Sequence, residues 1–229
     1  MEAPFFVRVR AGLDGRFLFL LTVVMELLSS LISFLIGYYA LKSYRASSAK
    51  GLYLLYLGFI ILGIGNFLRA VTSLYFAFIL KFVESPASPL LRLLNLAGSI
   101  YTITQLIAYS VFTATYIMQA KTIGKSAIAM STVSAAVFPI YRLFFIPQLE
   151  LIAIVMLGFV AVHSLNNWLL KRNTDSALVF FGFGFMVLSH LLFLFMILDE
   201  ILLFLGQASQ LAGFVCLLAM LAKVSKLNA

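Results

Sequence analysis

Residues 176–198 read SALVFFGFGFMVLSHLLFLFMIL, a run with no formal charge and one histidine, His190, deep inside it. A helix of about 20 apolar residues crosses the hydrocarbon core of a bilayer, so the run is long enough to span. An earlier stretch, LYLLYLGFIILGIGNFLRA (residues 52–70), echoes it. Displaced by 124 residues, Gly58–Phe59 falls on Gly182–Phe183 and Asn66 falls on His190.

Composition agrees with a membrane environment. The 229 residues are 63% hydrophobic and only 10% charged, with a mean hydropathy of +1.10. That leaves too little polar surface to cover a water-soluble domain. The chain is expected to be integral to a membrane, the cell (cytoplasmic) membrane, with the lipid bilayer as its main surroundings. The net charge of +8 is spread thinly among short connections and forms no basic run. It fits topology setting and headgroup contact, and argues against a nucleic-acid partner. The single Cys216 excludes an intrachain disulfide and any CxxC motif. The apolar run after the N-terminal residues is about 25 residues and lacks a small-residue cleavage site, so it reads as a retained first span rather than a signal peptide.

The spacing of apolar runs predicts an all-α integral membrane fold with seven transmembrane helices in one domain. The spans fall at 17–41, 51–80, 93–118, 126–145, 148–170, 176–198 and 201–221. The second would be about 45 Å long at about 1.5 Å per residue, so it tilts, projects or breaks. The fourth is rich in small and hydroxylated residues, which predicts a tightly packed inner helix. The stretch FVESPASPLLR (82–92) is expected to be the longest loop. One side collects Lys42, Arg45, Lys50, Lys121, Lys125, Lys171, Arg172, Lys223 and Lys226; the other has fewer bases and the acids Glu150, Asp199 and Glu200. The positive-inside rule then places the N-terminus outside and the C-terminus in the cytoplasm. The 124-residue offset also pairs Glu26 with Glu150 and Tyr44 with Trp168, and a shorter offset puts Gln105–Leu106 on Gln210–Leu211. Together these suggest a 3+1+3 plan of two parallel repeats joined by the fourth span.

Polar residues inside a membrane are costly and face the bundle interior. By depth, Glu26, Asn66, Arg69, Gln105, His190, Gln207 and Gln210 fall in one layer of the outer half. A functional reading makes this layer a pocket for a small ligand, proton or ion, with Glu26 and Arg69 paired and His190 titrating. A structural reading makes it a network that fixes helix register. Haem held by His163 and His190 is disfavoured because their depths differ by about 10 Å at about 1.5 Å per residue. A retinal Schiff base needs an intramembrane lysine, and every lysine lies in a loop or at a helix end. No cofactor and no metal are expected.

Signatures of enzymatic chemistry (HExxH, GxSxG, a Walker loop, paired intramembrane aspartates) are absent from the sequence. The expectation is therefore a non-enzyme. Short loops and an apolar body favour an accessory or structural subunit of a larger membrane complex, a respiratory or electron-transport one, with other membrane subunits as partners. The alternative is an autonomous seven-helix sensor or small-molecule or ion transporter that uses the outer polar pocket.

Overall fold

A computed structural model describes residues 13–82, 88–123, 147–196 and 198–227. They form six helices: α1 (Leu13–Ser47), α2 (Lys50–Phe82), α3 (Ser88–Ile123), α4 (Pro147–Lys171), α5 (Thr174–Leu194) and α6 (Glu200–Leu227). No strand occurs among the described residues. Five of the helices carry stretches long and apolar enough to cross a membrane, which marks a polytopic membrane protein. The described part of α3 falls short of that apolarity, diluted by Thr102, Thr104, Gln105, Ser110, Thr113 and Thr115. Each helix packs on its neighbours in sequence, and α6 packs back on α1, so the six close into a ring. Large apolar side chains such as Leu31, Phe67, Ile103, Val162, Phe181 and Val215 point outward, one from each helix, and suit contact with lipid.

Direction along the ring follows from the contacts. Pairs α1–α2, α2–α3, α4–α5 and α5–α6 run antiparallel. Between α3 and α4 the contacts advance together: Thr113 reaches Met156, and Tyr116 reaches His163 and Ser164. These two helices are therefore parallel, and α3 ends at the face opposite to the one where α4 begins. The fourth span expected at 126–145 lies outside the described residues. Lys42, Arg45, Lys50, Lys171, Arg172 and Lys223 all sit exposed at one face, here the basic face. Glu150 and Asp199 belong to the opposite one.

Several boundaries differ from those read in sequence. Helix α1 runs from Leu13 to Ser47 rather than 17–41. Helix α3 begins at Ser88, inside the stretch expected to be a loop, since a proline such as Pro89 costs no hydrogen bond in a first turn. Helix α5 stops at Leu194, short of 198, and a turn follows in which Leu198 N–H donates to the Phe195 carbonyl at 2.9 Å. Asp199 then caps α6, its Oδ1 accepting from Ile201 N–H at 3.0 Å.

The same local geometry appears twice in the chain. Ser48, in the α1–α2 connection, has φ 54°, and its N–H donates to the Tyr44 carbonyl at 2.7 Å. Arg172, in the α4–α5 connection 124 residues later, has φ 48°, and its N–H donates to the Trp168 carbonyl at 2.7 Å. A left-handed residue closing a helix leaves room for only a very short link, which forces an antiparallel hairpin. Side-chain contacts recur too. Gly58 of α2 lies against the Phe112 ring of α3, and Gly182 of α5 lies against Leu217 of α6. Arg69 lies over Tyr101, and Phe193 lies against Gly206. Each first pair maps onto its second when α2 advances by 124 residues and α3 by 105.

At the α5–α6 contact the backbones themselves meet. A Cβ added at Gly213 would lie 2.7 Å from the Gly182 carbonyl oxygen, which no side-chain adjustment relieves. Gly213→Ala is expected to lower stability by roughly 1–3 kcal/mol, as overpacking does. Gly184→Ala, where nothing lies within 4 Å, serves as the control and should melt like the parent chain in detergent.

Candidate functional site: a polar layer above an aromatic floor

Four inner helices share one spacing. On α2 a buried Phe59 precedes buried Asn66 by seven residues, and on α5 Phe183 precedes His190 by seven. On α3 Gln105 precedes Phe112 by seven, and on α6 Gln207 precedes Phe214 by seven. Because α2 and α5 run opposite to α3 and α6, every polar member lies on the same side of its phenylalanine. Seven residues are two turns, about 10 Å. The rings meet: Phe59 with Phe112 at 4.8 Å between centroids, Phe59 with Phe214 at 5.9 Å, Phe112 with Phe183 at 5.8 Å. The bundle interior thus holds an aromatic floor, with a polar layer above it toward the Glu150 face.

Two connected groups make up that layer. In the first, Arg69 Nε lies 2.9 Å from Glu26 Oε1, and Gln207 Nε2 donates to the same oxygen at 3.5 Å. The guanidinium also sits 4.4 Å from the centre of the Tyr101 ring, a cation–π contact. Gln105 Nε2 donates to the Tyr101 hydroxyl at 2.5 Å. Helices α1, α2, α3 and α6 are tied together this way. In the second group His190 uses both ring nitrogens: Nδ1 meets Glu150 Oε2 at 2.5 Å and Nε2 meets the Tyr109 hydroxyl at 2.8 Å. That chain joins α3, α4 and α5.

Of the seven residues expected from sequence, Glu26, Arg69 and Gln207 touch directly, while Gln105 and His190 connect through tyrosines. Asn66 and Gln210 are 2% and 1% exposed. Their Nδ2 and both amide atoms, respectively, make no hydrogen bond to the described protein. Glu26 Oε2, Ser29 Oγ and Ser189 Oγ are in the same condition. Ser43 Oγ and Ser225 Oγ, near the basic face, share it too, but the amides without partners lie in this layer. A buried polar group without a partner costs about 1–3 kcal/mol, so a further hydrogen-bonding species would be welcome there.

Three participants were not selected in sequence. Glu150 reads as an acid outside the membrane, yet the first turn of α4 brings it against His190; its displacement of 124 from Glu26 was the available signal. Tyr101 and Tyr109 were not singled out, although with Gln105 they form an i, i+4, i+8 stripe on one face of α3. His163 stands apart, its ring beside Phe159 and Tyr116. Thirteen residues along α4 separate it from Glu150, which His190 touches. That is about 20 Å along the axis, twice the separation expected from the sequence and too far for two ligands of one haem. No cluster of three His, Cys, Asp or Glu able to hold a metal ion occurs among the described residues. Comparison with protein-family models, with curated proteins and with solved structures gives no match.

The ion pair is the part of the layer most open to measurement. Arg69→Met leaves Glu26 buried without its cation and is expected to cost roughly 3 kcal/mol. Adding Glu26→Gln to it should recover much of that loss, a non-additivity read from thermal unfolding of the two single variants and the double.

Proposed function

We propose that the chain is an autonomous seven-span sensor or transporter whose polar layer binds a small polar solute or ion. The observation that supports this most is the gathering of partnered charges and unpartnered amides from all six described helices into one interior layer. A bundle that needed only to pack would fill this depth with apolar side chains, as it does at the aromatic floor. The binding chemistry is hydrogen bonding and charge, with no catalytic step assigned.

The architecture proposed is two parallel three-helix repeats joined by one further span. The repeated connections and contacts support duplication, with α1, α2 and α3 corresponding to α4, α5 and α6. The parallel course of α3 and α4 supports the extra crossing, since the chain has to return from one face to the other between Ile123 and Pro147. Inside a bilayer such a return is made by a helix. The exposed bases at one face support a cytoplasmic C-terminus and an outer N-terminus in a cell membrane, with the polar layer in the outer half.

Two measurements test the reading. Single cysteines placed by Lys121→Cys or Gln148→Cys, in a Cys216→Ala chain, should react with an impermeant maleimide from opposite sides. Labelling from one side would remove the seventh span. Purified in mild detergent, the chain should be monodisperse alone, and a screen of small polar solutes and ions should find one that raises the melting temperature. Gln210→Leu should abolish that rise. Stoichiometric co-purification with other membrane subunits, and no response to any solute, would overturn the reading in favour of an accessory subunit.

A further inference from the structure

The charges of the layer do not balance without an added proton. Among the described side chains it holds two carboxylates, Glu26 and Glu150, and one permanent cation, Arg69. With His190 neutral and both acids ionised the sum is minus one; with His190 protonated it is zero. An uncompensated charge in the membrane interior is expensive, so the balanced state is the favoured one.

Geometry says where the balancing charge goes. His190 is 2% exposed and lies between Glu150, 16% exposed in the first turn of α4, and Tyr109, which is fully buried. The three form a continuous hydrogen-bonded chain from the Glu150 face to the aromatic floor. We propose that Glu150, His190 and Tyr109 form a proton-binding site that exchanges with this face and whose proton neutralises the layer. The inference rests on reading the layer as a binding site, and it names the proton as the species held at this half.

In the loaded state imidazolium Nδ1–H donates to the Glu150 carboxylate and Nε2–H donates to the Tyr109 oxygen. Release gives one proton to the aqueous face and leaves neutral imidazole. The proton that leaves is the one on Nδ1, passed through the Glu150 carboxylate, and Nε2–H keeps donating to the Tyr109 oxygen. Nothing is oxidised or reduced. The other groups near His190 do not compete for this role. Among the described residues, α6 presents the amides Gln207 and Gln210 and the Ser209 hydroxyl at this depth, and α3 presents Tyr101, Gln105 and Tyr109. Arg69 and Glu26, from α2 and α1, already neutralise each other at 2.9 Å.

The test is nitrogen-15 NMR of the full chain labelled at histidine, in bilayers, across about pH 5 to 8, where histidine ordinarily changes charge. One imidazole should pass from imidazolium to neutral, and His190→Asn, which installs the residue found at position 66, should delete that signal. Glu150→Gln replaces the carboxylate that accepts from Nδ1 with a neutral amide, so the His190 signal should change its response to pH. The parent titration stands by itself if either variant fails to fold. A His190 signal that never changes, or one unmoved by Glu150→Gln, overturns the proposal. So does a midpoint that shifts when sodium replaces choline, which would assign the site to an alkali cation. None of these outcomes touches the topology or solute-response tests, which judge the polar layer by themselves.

Discussion

Polar side chains inside this bundle have only one another. A bilayer offers no water to satisfy them, and the helix backbone has already used its own donors and acceptors. Short hydroxyl side chains solve the problem locally: Ser33, Thr115 and Ser164 donate to the carbonyl one turn back. Carboxylates, guanidinium and imidazole are too long or too charged for that, so they meet across helices. Glu26 and Arg69 do so between α1 and α2, and the register they hold carries Ser30 to the Gly63 carbonyl at 2.9 Å. The ring arrangement follows from needing every such group to face inward at one depth.

If the halves arose by duplication, they have kept geometry and changed chemistry. Glu26 and Glu150 correspond, and each is held by α2 or by its counterpart α5. The partner differs. In the first half it is Arg69, whose counterpart Phe193 is apolar. In the second it is His190, whose counterpart Asn66 carries no charge. One half therefore holds a permanent charge pair and the other a titratable one. Tyr101 supports the arginine from α3, while its counterpart on α6 is Gly206, small enough to admit the Phe193 ring.

The helices and the polar layer were largely legible in the sequence, because intramembrane Glu, Asn, Arg, Gln and His stand out against leucine and phenylalanine. The two offsets that relate Asn66 to His190 and Gln105 to Gln210, 124 and 105 residues, were legible too. What composition hides is the double nature of tyrosine: Tyr109 looks like core by its ring and acts as a hydrogen-bonding partner by its hydroxyl. Glu150 was hidden by position, since an acid three residues after the proline that opens a helix reads as surface. Helix ends were hidden where local capping decided them, at Asp199 and at Ser88–Pro89. The left-handed turns at Ser48 and Arg172 carry no glycine to announce them.

The aromatic floor has a consequence for permeation. Phe214, Phe59, Phe112 and Phe183 form an unbroken series of ring contacts from α6 through α2 and α3 to α5, and each is almost completely buried. A solute that reaches Gln210 from the Glu150 face finds this septum ahead of it and the lysine-bearing face beyond. Among the described residues these rings close the space below the polar layer. Were a solute to pass along this line, the rings would first have to part.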